Sequence, residues 1–321
     1  METKAGDSAS DYRALLAASI TVVLWASAFV SIRASADHFD PGALALGRLL
    51  TASVVLGAVL LVKRVPVPPR QAWPGILASG LLWFGLYMVV LNWGEQLVDA
   101  GTAAMVVNIG PIVIALLSGW FLKEGFPPML LAGMGVSFLG AVVVGLSTSS
   151  GGSASLGGVL LCLTAALAYG AGVVLQKPAL SYASPIQVTA YSCFVGALGT
   201  LPFAGQLVRQ LGNAPAHATL NVLYLGLFPT ALAFSTWTYA LSRTTAGKLG
   251  ATTYAVPAVV VLIAWLVLDE VPGWLTLVGG AICLAGVSVS RRRPAPRGQD
   301  RQAQEPSPAG EPTAEPTASD A

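Results

Sequence analysis

The chain has 321 residues, of which 55% are hydrophobic and only 10% are charged, and its net charge at pH 7 is +2. Soluble domains carry about 25% charged residues, and a soluble core of this size could not hide so much apolar surface. The composition therefore excludes a water-soluble globular protein and predicts that lipid surrounds most of the chain. Cys162, Cys193 and Cys283 lie in apolar runs without paired spacing, so they predict neither a metal centre nor a disulfide framework.

Apolar runs of about 17–25 residues are long enough to cross a bilayer as helices. We predict an all-α polytopic membrane protein with ten transmembrane helices near Ala14–Ile32, Gly42–Val62, Pro74–Trp93, Gly101–Leu122, Met129–Leu146, Leu156–Leu175, Ile186–Phe203, Leu220–Ala240, Leu249–Leu268 and Trp274–Ser290. The first run also resembles a signal peptide, but nine further runs follow it, which favours a retained helix. Residues 1–11 form a polar tail, and residues 294–321 have the biased composition of a disordered tail.

The basic residues predict an orientation. Ten spans place both termini on one side, and all but three of the 17 Lys and Arg residues fall on loops of that side. Arg33 and Arg209 fall on the opposite loops, and Arg48 lies inside a span. Cytoplasmic loops collect Lys and Arg, so both termini are predicted to be cytoplasmic, in the inner membrane of a bacterium.

An internal repeat divides the chain into residues 12–146 and 156–293, joined by an outer linker at 147–155. At a separation of 146 residues, the segment from Asn108 to Pro111 falls on Tyr254 to Pro257, and Glu124 falls on Glu270. Upstream the separation is 144, which places Trp25 over Tyr169 and Pro41 over Pro185. Because each half holds five spans, an odd number, the halves are predicted to have inverted topology, as in many secondary transporters.

These features together resemble a known family. The paired five-helix halves, the segment Leu24-Trp25-Ala26-Ser27-Ala28-Phe29, the proline-containing fourth and ninth spans, and Glu124 or Glu270 before a glycine-bearing helix are similar to EamA-type members of the drug/metabolite transporter superfamily. The resemblance covers about residues 12–293. It implies secondary transport, mostly export, of amino acids, other metabolites or toxic compounds.

Arg48 is the strongest candidate site residue, since it lies about 10 Å inside the second span and a charge at such depth usually faces a cavity or a partner. Two interpretations stay open. Arg48 either contacts a substrate carboxylate, or it is a structural or gating residue that pairs with Glu95 or Asp99. The resemblance favours the structural interpretation, because this arginine recurs in members with different substrates.

The other candidates lie near mid-membrane. Pro111 and Pro257 are predicted to interrupt their helices, with Asn108 and Tyr254 one turn earlier at a central substrate site. Aromatic side chains within spans predict either a cavity wall or ordinary packing. These substrate-binding candidates are Trp25, Trp83, Tyr87, Tyr169 and Trp237.

The span ends hold the structural candidates. Glu124 and Glu270 are predicted to pin loops and cap the helices that follow them, and Gln176 is interpreted as an interfacial residue at the end of the sixth span. The sequence lacks the GxxxxGK[ST] phosphate loop, which disfavours ATP-driven transport, and nothing in it indicates a cofactor, a catalytic residue, a metal site or a nucleic-acid partner.

The sequence therefore predicts a secondary transporter, an exporter of amino acids or amphipathic metabolites, whose partners are a small-molecule solute and the bilayer. An importer of a similar solute and a non-transporting membrane sensor or receptor are the alternatives. A membrane enzyme would need His, Asp, Glu, Ser or Cys residues gathered at a common depth, and the chain shows no such set. Coupling to a proton or to a counter-solute, and a monomer or a homodimer, stay open.

Overall fold

The computed structural model describes residues 3–98, 103, 106–148, 155–259, 262–263 and 273–290, and every regular element within them is helical. The predicted C-terminal tail, Asp99 and Glu270 lie outside these residues. The first helix begins at Thr3, so the segment predicted as a separate N-terminal tail continues into the first span.

The first half contains α1 (Thr3–Ser35), α2 (Pro41–Val62), α3 (Trp73–Ser79), α4 (Tyr87–Leu97), α5 (Gly110–Phe121) and α6 (Pro128–Thr148). The second half contains α7 (Leu156–Gln176), α8 (Pro185–Gly199), α9 (Ala204–Asn213), α10 (Ala216–Leu225), α11 (Ala233–Leu241), α12 (Ala246–Thr252) and α13 (Trp274–Ser290). The repeat-equivalent helices α2 and α8 both start at a proline, because the first helical turn does not need its N–H.

Helices occur at all ten predicted positions, although the fourth and the ninth lie only partly within the described residues. Length and hydropathy alone identify six membrane-spanning helices among the described residues. A seventh is formed if α8 and the bent segment after it, with 52° between them, count as one span. The helix α5 is shorter, and so is the apolar stretch Leu277–Ser290.

The two halves are related by an approximate twofold axis that passes between α6 and α13. Ser137 Oγ donates to the Cys283 carbonyl at 3.0 Å, and Cys283 Sγ donates to the Ser137 carbonyl at 3.4 Å. These two residues are 146 positions apart, so each bonds to its own repeat equivalent. The contact Gly133–Gly286 is repeated by its symmetry mate, Gly140–Gly279. Along this interface the residue numbers of α6 increase while those of α13 decrease, so the two helices run antiparallel. This is the inverted relation that the sequence predicts.

Close packing at this axis predicts a strong effect of side-chain size. A Cβ at Gly133 would lie 2.6 Å from the Gly286 carbonyl oxygen, whereas a Cβ at Gly135 would meet nothing within 4 Å. Gly133→Leu is therefore expected to lower the unfolding free energy by about 1–3 kcal/mol or more, as overpacked interfaces do. Thermal unfolding of the purified protein measures this, with Gly135→Leu as the matched control. An equal loss in both variants would contradict the described packing.

Two π-helical segments interrupt the third and eighth spans at equivalent positions. They cover Gly80–Leu86 and Gly226–Leu232, which are separated by 146 residues at both ends. The hydrogen bond from the Tyr87 N–H to the Leu82 carbonyl, five residues earlier, recurs as the bond from the Ala233 N–H to the Phe228 carbonyl. Single-turn π segments are rare within helices and frequently occur at functional sites.

We use two names for the ends of the bundle. The basic face carries the ends of α2, α5, α7 and α11, next to Lys63, Lys123, Lys177 and Arg243. The opposite face carries the connection between α1 and α2, together with α9.

Candidate substrate site

Aromatic side chains from both halves form one cluster in the middle of the bundle. The cluster consists of Trp25 from α1, Trp83 and Phe84 from the first π segment, Tyr87 from α4, Tyr169 from α7, and Phe234 and Trp237 from α11. Five of the six aromatic substrate-binding candidates predicted from the sequence belong to it, and Tyr254 does not.

Trp25 is the hub of this cluster. Its ring centroid lies 4.9 Å from that of Trp237, 6.0 Å from that of Trp83 and 6.4 Å from that of its repeat equivalent Tyr169. Most of these pairs are tilted or edge-to-face, the arrangements that aromatic quadrupoles favour. Because Trp25 belongs to the first half and Trp237 to the second, the cluster lies at the seam between the repeats.

Tyr87 extends the cluster toward the buried cation. Its ring centroid lies 5.8 Å from that of Tyr169. Arg48 is only 5% exposed, its Nε donates to Thr230 Oγ1 at 3.1 Å, and the adjacent Leu49 packs in the same buried core as the rings. Glu95 lies on α4, three residues after Asn92, whose amide donates to the Pro41 carbonyl at the start of α2. The buried cation therefore lies beside the aromatic cluster, toward the opposite face, and Glu95 lies closer to that face.

Thr230 connects Arg48 to the second π segment. Its hydroxyl donates to the Leu225 carbonyl at 2.7 Å while it accepts from Arg48. Pro229 has no N–H to offer the carbonyls of the preceding turn, so the threonine hydroxyl satisfies one of them. The membrane-embedded cation is thus bonded to the turn where the eighth span departs from α-helical geometry.

Several buried polar atoms near the cluster have no hydrogen-bond partner among the described residues. These atoms are the indole nitrogens of Trp25 and Trp237, the Thr238 hydroxyl and both amide atoms of Gln176. Buried polar groups in folded proteins are almost always bonded, so such a group is a specific feature that needs an explanation. The site offers donors and a neutral amide, in addition to apolar rings.

Polar contacts join helix ends at the basic face. Lys177 Nζ donates to the carbonyl of Leu241 at 2.7 Å and to that of Thr244. The Glu124 carboxylate accepts from the N–H groups of Ala246 and Gly247 at 2.8 and 3.1 Å. The Lys177 bonds join the end of α7 to the end of α11. The Glu124 bonds join the end of α5 to the start of α12.

This arrangement corrects the prediction for Glu124. The carboxylate caps α12 in the other half of the molecule and not α6, the helix that follows it, because the first N–H groups of α12 lie within reach across the seam. Glu270 lies outside the described residues, so its capping role stays a prediction.

The two proline candidates lie after the helix interruptions. Pro111 stands in the first turn of α5, where its missing N–H breaks no bond, and the turn precedes it at residues 108–109. In the second half a 3-10 segment, Thr253–Ala255, precedes Pro257. The interruptions are present, but each begins before its proline.

The remaining candidates lie in different places. Tyr254 is fully buried in a separate cluster with Ala115, Met134 and Cys283, and it does not belong to the central aromatic cluster. Asn108 is half-buried in the turn before α5. Gln176 is fully buried, so its interpretation as an interfacial residue is wrong.

Sequence reasoning missed Phe84, Phe234 and Thr230 as members of the site. The ring centroids of Phe234 and Trp83 lie 4.7 Å apart. Phe234 was predictable from the sequence, because it stands three residues before Trp237 and so lies near it on the same helix. Thr230 offered no such signal, because its importance depends on which helix crosses Arg48.

A helical membrane bundle with a seam between inverted repeats, a buried cation and an aromatic site defines a transporter-type membrane protein. The EamA-like transporter family model matches the chain twice, at residues 12–146 and 156–292. The chain therefore belongs to the EamA-like transporter family, as its resemblance to the drug/metabolite transporters predicted.

Known relatives agree with this assignment. A probable terminal-alkyne amino-acid exporter of Streptantibioticus cattleyicolor is 36% identical over 281 residues, which cover 88% of this chain and 94% of the relative. The uncharacterized transporter YdfC of Bacillus subtilis is 33% identical over 85% of this chain and 89% of its own length. A probable amino-acid metabolite efflux pump of Salmonella typhimurium is 23% identical over 85% of this chain and 93% of the relative.

The fold also has a counterpart among solved structures. A crystal structure with 22% sequence identity covers 87% of this chain and 96% of that chain, with a TM-score of 0.71. At this level of identity the likeness concerns the fold alone.

Proposed function

We propose that this transporter exports an amino acid or a related amphipathic metabolite across a bacterial inner membrane by alternating access, with both termini in the cytoplasm. Two relatives, one named as a probable amino-acid exporter and one as a probable amino-acid metabolite efflux pump, support the substrate class and the direction. The bias of Lys and Arg toward the basic face supports the orientation.

The observation that carries the proposal is the position of Arg48 beside the aromatic cluster. The guanidinium suits a substrate carboxylate, because its fork of N–H donors matches two carboxylate oxygens. Glu95, on α4 nearer the opposite face, would suit an ammonium group. The rings of Trp25, Tyr169 and their neighbours accept an apolar side chain. A zwitterion with an apolar or aromatic side chain fits this set of groups.

Alternating access is supported by where the site lies. Its members come from both halves, so movement of one half against the other would expose the site to either side in turn. At the basic face, Glu124 of the first half bonds to the start of α12 in the second half, whereas Lys177 and Leu241 both belong to the second half. Movement that separates the halves at this face would break the Glu124 bonds.

Counterflow in proteoliposomes tests the proposal. Vesicles loaded with one unlabelled amino acid and given a labelled trace of the same compound should accumulate the label, with and without an imposed proton gradient. The panel includes leucine, phenylalanine, tyrosine, glutamine, methionine and lysine. Movement of at least one neutral panel member at least tenfold above protein-free vesicles is the expected result. If no panel member moves while the purified protein binds one tightly, the transport proposal fails and the receptor alternative gains.

A further inference from the structure

We propose that Gln176, together with Thr238, recognises a neutral hydrogen-bonding group at the inner end of the substrate and so sets its specificity. This inference rests on the proposed function and narrows its substrate class. It is argued from the burial of Gln176, its position on α7, and the chemistry of the groups around it.

The burial of Gln176 is the first observation. The side chain is 0% exposed, and neither its amide oxygen nor its amide nitrogen has a hydrogen-bond partner among the described residues. Thr238 and Trp237 are also 0% exposed, and the Thr238 hydroxyl and the Trp237 indole nitrogen are unpartnered in the same part of the chain. Buried polar groups without partners cost stability, and a substrate or a water molecule that bonds to them offsets this cost.

Helix geometry places Gln176 below the aromatic cluster. Tyr169, Val173 and Gln176 are spaced by four and three residues, so they share one face of α7. Tyr169 belongs to the cluster, and Gln176 lies about 10 Å further along the helix toward the basic face. That distance is about the length of a tyrosine-sized side chain together with one hydrogen bond from its tip.

Thr238, on α11, lies at a similar depth to Gln176. Trp237 contacts Tyr169 at 6.4 Å between ring centroids, and the Leu241 carbonyl one turn later accepts from Lys177, the residue after Gln176. Thr238 lies between these two contacts along α11. Gln176 and Thr238 therefore lie at a similar depth, between the rings and the basic face.

The chemistry of the groups around Gln176 and Thr238 defines what this region would bind. Its groups are an amide, a hydroxyl and an indole N–H, all of them neutral, whereas Arg48 lies on the other side of the aromatic rings. A substrate whose carboxylate meets Arg48 would place the tip of its side chain near Gln176. A hydroxyl or an amide at that tip satisfies the unpartnered atoms, and a purely apolar tip leaves them unpaired, which sites of this kind reject strongly.

Matched amino-acid pairs test the inference with the full-length protein in detergent and in proteoliposomes. Tyrosine and phenylalanine differ by one hydroxyl, and glutamine and methionine differ in the tip of a chain of similar length. We expect the wild type to bind at least one polar member about 10-fold or more tightly than its apolar partner. Gln176→Met should reduce that preference to within about twofold, without loss of the apolar member's affinity.

Two further variants and a control separate recognition from folding. Gln176→Asn keeps an amide and should retain part of the preference, whereas Thr238→Val should weaken it. Gln96→Met changes an exposed glutamine on α4 and should leave the preference unchanged. Thermal unfolding of each variant identifies any that fail to fold.

The outcomes distinguish this inference from the proposed function. If panel members are transported but neither pair is discriminated, or if Gln176→Met keeps the full preference, the inference is overturned and the proposed function stands. If nothing is transported, the proposed function fails with it.

Discussion

Replacing Arg48 with alanine is expected to reduce transport about 100-fold or more. The loss of a buried, charge-assisted contact costs about 2–5 kcal/mol, and about 2.8 kcal/mol corresponds to a factor of 100. Arg48 is 5% exposed, bonds to Thr230 and lies beside the aromatic cluster at the seam. Initial rates of counterflow measure the effect. Lys63→Ala, which removes an exposed cation at the end of the same helix, should transport at the wild-type rate.

The same series decides between the two interpretations of Arg48. A substrate contact predicts that Arg48→Ala and Arg48→Lys both bind substrate more weakly while their unfolding temperatures stay near the wild type, because lysine cannot present the guanidinium fork. A structural arginine predicts a lower unfolding temperature for Arg48→Ala and a similar loss for Thr230→Val, which removes its bonded hydroxyl. Transport at the wild-type rate in Arg48→Ala would remove Arg48 from the mechanism.

The sequence predicted those parts of the fold that depend on local pattern and on duplication. Apolar length located the helices, and the 146-residue offset predicted an inverted relation that the Ser137–Cys283 bonds display. The aromatic site was also predictable in part, because repeat-equivalent residues such as Trp25 and Tyr169 meet at a twofold axis if they lie near it.

What the sequence could not provide is which helices cross at which depth. Glu124 faces two possible helix starts, and only the tertiary packing shows that it caps α12. Gln176 stands at the end of an apolar run, where an interfacial glutamine is the ordinary interpretation. Its burial depends on how the other helices pack around the end of α7. The π segments had one sequence signal, Pro229, because a proline inside a span removes an α-helical bond.

Replacing Pro229 with alanine is expected to slow turnover about 10-fold while leaving substrate affinity within about twofold, because this substitution acts on the flexibility of the eighth span. Alanine restores a backbone N–H and favours a regular α-helix over the π segment by up to about 3 kcal/mol, the usual difference between these residues within a helix. A shift of about 1.4 kcal/mol between the two access states already changes their ratio tenfold.

The physical basis is that the π segment is linked to the site and to the neighbouring half. The Thr230 hydroxyl, within this segment, joins Arg48 to the carbonyl of Leu225, the last residue of α10. Gly226, its first residue, packs so closely on α2 that a Cβ would lie 2.8 Å from the Arg48 carbonyl oxygen. In the first half, the equivalent Gly80 packs in the same way on α8, where a Cβ would lie 2.8 Å from the Ser192 carbonyl oxygen. Both spans can therefore bend at equivalent depths while their first residues stay anchored on the other half.

Comparing equilibrium binding with counterflow separates this hinge from a simple folding defect. Pro229→Ala should unfold at the wild-type temperature or above it, bind substrate normally and exchange it slowly. Pro69→Ala, in an exposed loop at the basic face, serves as the control and should change neither quantity. If Pro229→Ala turns over at the full wild-type rate, the π segment is not a hinge. Only a change in the conversion between access states lowers turnover at unchanged affinity. If weaker substrate binding by Pro229→Ala accounts for all of the lost transport, Pro229 instead shapes the Arg48 site.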